Sequence, residues 1–446
     1  MVDAKHPTWI QSYAQHWVVK SLAKIKKGRA TFICRYEDDT IIVVGEKDTA
    51  VPDELNATIY VINPNFWTRF CTGLDLGTSE AYMLQEIECA DLSRIFNIYF
   101  KNKDYLGFGN PILQAGQRLS RMFWSPSNDV QQARLNASAH YDTSNELFAA
   151  FLSPDMNYSC AHWTTDPAET LQTAQERKVD TLLKKLHLNS NHHLLDIGCG
   201  WGDVMIKAAQ KYSCRVTGIT LSSEQRSLAE NRVKEAKLQH LVSVLLCDYR
   251  TTPVPESGYD RIVSIGMFEH VGRKYLNEYF RTISRLLNPT TAVLVIDGIT
   301  FTNKMHESRS PVDTFIGRYI FPGGYLPSIH SLTEALHKGS KGTLEITHVR
   351  NIGPHYGKTL LAWRNNFQRN WDTIMANYMR KYPSATGEDI EAFRRMWLLK
   401  DLLQYYFVSC EAGFRSRALD NYIICAARTP EPAVSYTNTA FREMLD

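Results

Sequence analysis

The segment Leu194-Leu195-Asp196-Ile197-Gly198-Cys199-Gly200-Trp201-Gly202 constrains this chain more than any other. An apolar run ends in an acid and then in three alternate glycines. That reads as a buried strand, a tight turn and the start of a helix. Glycine lets the backbone turn sharply and lets a ligand approach where a Cβ would clash. The residues that follow repeat the strand–helix unit. Strands are expected at His193–Asp196, Arg215–Thr220, Val242–Cys247, Arg261–Ile265 and Ala292–Ile296, then at Leu344–Val349 and Tyr422–Ala426. Helices fit residues 203–212, 223–237, 273–287 and 330–338. This alternation predicts an α/β fold with a Rossmann-like, doubly wound, mostly parallel sheet. Its ligands should bind outside the strand C-termini, at the topological switch point. A helical block at 359–410 is too long for a connection and is expected to cap the site.

A chain of 446 residues exceeds one ordinary domain. Short β-rich runs at Ala30–Arg35, Thr40–Val44 and Thr58–Ile62, followed by a helical stretch over 66–125, predict a smaller α+β domain ahead of the sheet. Ser125–Asn136 is polar, contains Pro126 and reads as a linker, which sets the domains at 1–128 and 129–446. A net charge of +3 gives no case for nucleic acid, and nine scattered cysteines without a CxxC pair argue against a metal site. Reduced thiols in a cytoplasmic chain are the simplest account of them. No apolar run is long enough for a signal peptide or a membrane span. The N-x-S/T triplets at Asn56, Asn136 and Asn157 are expected to be chance matches.

Residues 9–27 have a helical rhythm in which Ile10, Tyr13, Trp17, Leu22 and Ile25 share a face. Lys20, Lys24, Lys26, Lys27 and Arg29 crowd the end of that helix. A basic amphipathic helix can lie on an anionic membrane. It can equally pack its apolar face on its own domain, with the lysines solvated. Both readings are open at this level.

The glycine spacing is G-x-G-x-G, not the G-x-G-x-x-G of dinucleotide binders, and points to S-adenosylmethionine (SAM). SAM presents a carboxylate, an ammonium, a ribose and a sulfonium. Gly198, Gly200 and Gly202, with the helix N-terminus at 202–203, offer backbone N–H groups. Asp196 would hold the turn or pair with the ammonium. The second strand ends Gly218-Ile219-Thr220-Leu221-Ser222, where a dinucleotide binder places an acid for the ribose. Thr220 and Leu221 stand there instead, with Gln225 one turn into the helix, so neutral groups would read the ribose. The third strand ends Cys247-Asp248-Tyr249: Asp248 suits the adenine amino group and Tyr249 the ring.

Further motifs are unusual for a plain fold: His140-Tyr141-Asp142, Tyr158-Ser159-Cys160-Ala161, Ser264–Gly272 around Glu269-His270, Ile320–Ser328 with Pro322-Gly323-Gly324, Pro354–Leu360, and Cys410–Arg415. Together these resemble the cyclopropane fatty acid synthase family, which includes the mycolic acid cyclopropane synthases. The resemblance covers about 137–428 in order, and residues 9–125 are similar to the N-terminal domain of longer bacterial members. It implies methyl transfer from SAM to a cis double bond of an unsaturated phospholipid acyl chain. A carbocation forms, loses a proton and closes to a cyclopropane. Tyr158 and Ser159 match family SAM contacts, as do Gly198, Gly200, Thr220 and Gln225, while Asp248 and Tyr249 fall where the family contacts adenine. A bound bicarbonate is the family's base, and its ligands match Cys160, Glu269, Ile299 and Tyr356. Cys410 matches a cysteine often given as the active site, although alkene methylation needs no covalent intermediate. The N-terminal domain would present lipid or pair subunits into a homodimer, on a peripheral membrane surface.

One position departs from the family. The fifth strand reads Val295-Ile296-Asp297-Gly298-Ile299-Thr300, with Asp297 where the family has His or Gln. An ionised Asp beside bicarbonate and Glu269 would be repulsive. Asp297 is then protonated, or replaces bicarbonate as the base, or is structural through a slip in alignment. The departure keeps a second outcome open, in which a lipid, a sphingoid base or a small-molecule amine is methylated without ring closure.

Overall fold

The computed structural model describes residues 6–47, 50–106, 145–307, 314–381 and 390–428; the side chains of 381–399 lie outside that description. The expected linker, the boundary near 128 and the His140-Tyr141-Asp142 motif fall outside the described residues. Packing divides the chain into two units. The first joins Met1–Ser125 to Arg309–Pro322 and Trp371–Ala418; the second joins Pro126–Ser308, Gly323–Asn370 and Leu419–Asp446. A contiguous cut at 128 therefore accounts for only part of the packing. The helical block expected at 359–410 is shared out: helix Gly353–Arg369 belongs to the second unit, while Trp371–Lys381 and Ile390–Arg415 belong to the first.

The first unit is built on a four-stranded sheet of order β2-β1-β3-β4, comprising β1 (Arg29–Cys34), β2 (Thr40–Gly45), β3 (Asn56–Val61) and β4 (Ile87–Glu88). β1 alternates half-buried and buried residues, as a strand with one covered face must. Asp38 and Asp39, both at positive φ, make the β1–β2 turn. Helix Trp9–Leu22 starts at a Thr8–Gln11 capping box and buries Ala14, Val18 and Leu22 against the sheet residues Ala30, Phe32 and Ile59. The face expected of this helix is thus split. Leu22 and Ile25 enter the core, whereas Ile10 and Tyr13 remain 52% and 61% exposed, alongside Trp9. Helix Ile390–Arg415 joins this unit through Tyr405, whose ring meets Phe315 at 4.7 Å and Phe96 at 5.2 Å. Its hydroxyl donates to Asp75 Oδ1 at 3.1 Å. That aromatic anchorage is why a segment distant in sequence packs with the N-terminal residues.

The second unit holds a seven-stranded sheet of order β10-β11-β9-β8-β5-β6-β7. Its strands are β5 (His193–Ile197), β6 (Arg215–Thr220), β7 (Val242–Leu246), β8 (Arg261–Ile265), β9 (Val293–Phe301), β10 (Leu344–Asn351) and β11 (Leu419–Arg428). β5 to β9 pair in parallel, and β11 returns antiparallel between β9 and β10. Strands buried on both faces read as continuous apolar runs, which is why Leu194-Leu195 and Ile262-Val263 carry little alternation. Helix Leu276–Leu286 closes one face with Tyr279, Phe280, Ile283 and Leu286, against Ile262, Leu294 and Ile296. Burying each such aliphatic side chain contributes about 1.5–3 kcal/mol. Chain order reverses at β5, between β6 and β8, so the crevice outside their C-termini is the switch point where ligands bind.

Candidate functional site

β5 delivers the chain into the glycine turn. Gly198, Gly200 and Gly202 stand at φ +81°, +53° and +92°, a region that side chains with a Cβ rarely occupy. Two N–H groups of the turn, those of Gly198 and Cys199, donate to the Ile219 carbonyl at 3.0 Å and lock it to β6. Among the described residues nothing lies within 4 Å of the place a Gly200 Cβ would take, so the turn faces open space there. Gly218 of β6 has the opposite reason for lacking a side chain: its Cβ would meet Met205 Sδ at 2.0 Å. Asp196 is buried at the end of β5, with Oδ2 lacking any hydrogen-bond partner. Burial pushes its pKa up to about 7, against the lowering effect of the Lys178 ammonium. Open space above Gly200 and an orphaned acid oxygen below it fit a donor that carries an ammonium, such as SAM.

At the end of β6, the Thr220 hydroxyl donates to Gln225 Oε1 at 2.7 Å, and both side chains are buried. The neutral pair expected for a ribose is therefore preassembled, with Leu221 partly buried beside it. At the third-strand position, Asp248 and Tyr249 are already engaged by neighbouring side chains. Arg250 grips both oxygens of Asp248, at 2.8 and 2.9 Å. Tyr249 is buried edge-on to Tyr279, with ring centroids 5.3 Å apart. Both side chains are stabilised by neighbours that the strand pattern does not reveal.

A second cluster forms where β8 ends beside the middle of β9, Ile265 lying opposite Asp297. After β8, Gly266 at φ +61° turns the chain into a short 3-10 turn, Phe268–His270, that aims Glu269 back over β9. Glu269 Oε1 accepts the Ile299 N–H at 2.7 Å. Gly298 makes that reach feasible, because a Cβ there would stand 2.8 Å from Glu269 Oε1 and 2.5 Å from the Phe268 ring. The Glu269 carbonyl is held by the Tyr325 N–H at 2.8 Å, just past the Pro322-Gly323-Gly324 turn. Asn421 of β11 donates its side-chain amide to Asp297 Oδ1. Glu269 Oε2 and Asp297 Oδ2 are buried without hydrogen-bond partners among the described residues. Burial raises Glu269 to about 8, with a further push from Asp297. Burial also raises Asp297, to about 6, although Lys178 and Asn421 act to lower it.

The Tyr158–Trp163 segment closes the site from the side. Cys160 is buried, its thiol aimed at the Ile352 carbonyl at 3.6 Å and its pKa pushed well up by burial. Thr359 Oγ1 accepts from the Ala161 N–H at 3.2 Å and from Trp163 Nε1 at 3.0 Å, tying the segment to helix Gly353–Arg369. Tyr356 on that helix is buried, and its ring and that of Tyr158 both pack on Trp363, at 5.9 and 5.1 Å. Lys178 Nζ donates to Ser159 Oγ at 2.8 Å and to Asn157 Oδ1 at 3.1 Å. His270, held neutral by burial at a pKa of about 4, cannot supply a proton near neutral pH. Cys410 lies in the first unit, on helix Ile390–Arg415, where burial pushes its thiol up to about 12. Such a thiol is not a nucleophile at neutral pH.

Lys178, Asn421, Gly298 and Arg250 escaped the sequence reading. Only Lys178 had a visible signal: it interrupts the buried stripe Ala174-Lys178-Leu182 at helical spacing. Asn421 is invisible because β11 pairs with β9 across more than 100 residues of chain.

A family model described as mycolic acid cyclopropane synthetase matches residues 128–423. The cyclopropane-fatty-acyl-phospholipid synthase of Escherichia coli (strain K12) is 32% identical over 86% of this chain and 91% of its own length. The tuberculostearic acid methyltransferase UfaA1 of Mycobacterium tuberculosis is 36% identical over 78% of this chain and 77% of its own. Among solved structures, mycolic acid cyclopropane synthase CmaA1 complexed with SAH and CTAB superposes with a TM-score of 0.56 at 33% identity, covering 66% of this chain and 98% of that one.

Proposed function

This chain belongs to the mycolic acid cyclopropane synthetase family and is a SAM-dependent methyltransferase of that type; we propose that its substrate is a cis alkene in the acyl chain of an unsaturated phospholipid, and its product a cyclopropane. The observation that carries this reading is the acid cluster itself, two buried carboxyls each with an oxygen unpartnered among the described residues, one just after β8, which neighbours the donor turn's strand, and one on β9.

SAM supplies an electrophilic methyl group on a sulfonium. The glycine turn, Asp196 and the Thr220–Gln225 pair would hold it, with Tyr158 and Ser159 alongside. An alkene is a weak nucleophile, so the residues must fix donor and acceptor close and in line. The new C–C bond leaves a cation on the neighbouring carbon, which the π faces of Tyr158, Tyr356 and Trp363 are suited to stabilise. Burial of the cluster excludes water that would trap the cation. A proton then leaves the transferred methyl carbon, and its C–H electron pair closes the ring. Asp297 Oδ2 is the acceptor we assign to that proton, since it is buried, unpartnered and ionised near neutral pH.

Bicarbonate does not fit these residues well. The Ile299 N–H that would bind it is spent on Glu269, and Asp297 adds a second carboxyl where an anion needs donors. We therefore derive no step through it. The second reading, methylation without ring closure, is favoured by the same replacement and by the name of the UfaA1 relative.

Incubation with labelled SAM and vesicles of mixed unsaturated phospholipids, followed by fragmentation mass spectrometry, separates these outcomes. A product with one CH2 more and no alkene supports the cyclopropane; a methylated product that keeps its unsaturation supports the alternative; no lipid product overturns the phospholipid substrate and leaves only the methylation of another acceptor. No described helix is long and apolar enough to cross a membrane. Contact with the bilayer is assigned to helix Trp9–Leu22 and the residues just after it: Trp9, Ile10, Tyr13 and Lys20 on the helix are exposed, as are Lys24, Lys26 and Lys27 beyond its end. Replacing Lys24, Lys26 and Lys27 by Gln should weaken binding to anionic vesicles, most at low salt. Unchanged sedimentation with vesicles would discard that role.

A further inference from the structure

Lys178 is fully buried, yet neither of its hydrogen-bond partners is charged. An ammonium taken out of water needs compensation, from hydrogen bonds or from opposite charge. Its Nζ donates to Asn157 Oδ1 and Ser159 Oγ, in the segment that continues to Cys160. Burial draws the Lys178 pKa down, while Asp297, Asp155 and Asp203 favour its charged form through space, and its own charge acts on Asp196.

These four acids are not equivalent. Asp203 has Lys207 at 2.8 Å and Asn157 at 2.9 Å. Asp155 Oδ1 accepts from the Ser153 hydroxyl; its Oδ2 also lacks a hydrogen bond but has Lys207 at 3.9 Å. Asp196 and Asp297 each keep one oxygen with no hydrogen bond, and Lys178 is the cation that acts on both. One stands at the donor turn and the other in the acid cluster, on strands β5 and β9 with β8 between them.

We propose that Lys178 is a positioning residue: a buried ammonium, tied to Asn157 and Ser159, that serves Asp196 at the donor turn and Asp297 at the acid cluster as their common counter-charge. This rests on the roles assigned above to Asp196 and Asp297. It accounts for a lysine on an otherwise apolar helix face. It also explains why the Asn157–Cys160 segment is fastened at the point where the two halves of the site meet. Without the ammonium, both carboxyls would be neutral over more of the physiological range. The donor's ammonium would lose its partner, and the departing proton its acceptor.

The test is calorimetric binding of S-adenosylhomocysteine (SAH) to the full chain between pH 6 and 8.5, in wild type, Lys178→Met and Lys178→Arg. SAH keeps the ammonium of SAM, and its binding needs no lipid. A chain that methylated no phospholipid would therefore still report on Lys178. Pairing with Asp196 requires the carboxylate, so wild-type affinity rises with pH through about 7. Lys178→Met should move that midpoint upward by about one pH unit or more. Binding is then about fivefold weaker at pH 7, with the two curves approaching each other at the alkaline end. Lys178→Arg, which keeps the charge, should keep the midpoint. Of the neighbouring ionisable groups, burial holds Cys160 and Tyr356 above this range and His162 below it; Glu269, raised to about 8, and Asp297, raised to about 6, change charge within it and are common to all three proteins. A loss that is uniform across pH, or a Lys178→Arg midpoint displaced as far as that of Lys178→Met, overturns the proposal.

A thermal double-mutant cycle with Asp297→Asn guards against a misfolded single variant. The proposal expects the double variant to lose less stability than the sum of the singles, or to fold where Lys178→Met does not. Additive losses, or a double variant as unfolded as the single, also overturn it.

Discussion

The donor turn after β5 and the acid cluster at β8 and β9 belong to neighbouring parts of one sheet and are built from opposite materials. The turn after β5 works through backbone: three glycines at positive φ, N–H groups locked to the Ile219 carbonyl, and a neutral Thr220–Gln225 pair. The cluster at β8 and β9 works through side chains: Glu269, Asp297 and Asn421, with buried charge and unpartnered oxygens. A binding site for a fixed cofactor can be shaped by conformation alone. On the proposed reading, the cluster must take up a proton, which requires an acid kept poised, and burial would be the means. Damage to the two regions should therefore separate into loss of affinity and loss of chemistry.

The sharpest separation is expected from Asp297→Asn. Turnover on lipid vesicles should fall by about 10²–10³, the usual worth of a positioned base, while SAH affinity stays within about threefold. The wild-type rate should rise with pH through about 6 as Asp297 ionises, and that limb should vanish in the variant. Full activity in Asp297→Asn would end its assignment as acceptor. Gly200→Val addresses the other region. A β-branched residue at φ +53° costs about 1–2 kcal/mol and would project into the open space above the turn. SAH binding by calorimetry should weaken by about 10–100-fold, in a protein that still folds cooperatively. Undiminished affinity would show that the donor lies elsewhere.

A smaller effect should come from Glu269→Gln, read as melting temperature against pH. The folded protein keeps the Glu269 proton up to about 8, whereas an unfolded chain releases it near the ordinary carboxyl value. The folded state thus binds more protons in that window, and its stability declines as pH rises from about 4.5 to about 8. Removing the ionisable group should lessen that decline, raising the melting temperature at pH 8 relative to pH 6 by about 2–4 °C. An unaltered slope would mean that Glu269 is not the group held protonated. The smallest effect is expected from Cys410→Ser. A thiol pushed up to about 12 is neutral at working pH, so turnover should change by less than about threefold. A loss comparable to that of Asp297→Asn would restore Cys410 to the chemistry.

Much of the second unit was legible in the sequence because its signals are local. An apolar run ended by glycines is a strand and a turn whatever surrounds it. The observed β5, β6 and β8 agree with expectation to within a residue. Helix Asp203–Tyr212 agrees at both ends. The first unit was less legible. Its short strands were expected, but the attachment of Ile390–Arg415 depends on Tyr405 finding Asp75 and Phe315, contacts with no periodicity to betray them. The outward turn of Trp9, Ile10 and Tyr13 was likewise open until packing chose which residues of the helix to bury.

By itself, then, the order of residues determined the parallel sheet, the glycine turn, the family, and the presence of Glu269 and Asp297 near strand ends. Tertiary structure alone decided what those acids are. Asp297 owes its surroundings to β11 arriving antiparallel with Asn421, and to a helix that brings a buried Lys178 into electrostatic reach. Strand and turn propensities act over a few residues and can be read along the chain. The ionisation of a carboxyl depends on burial and on charges several ångströms away, which only the folded chain brings together.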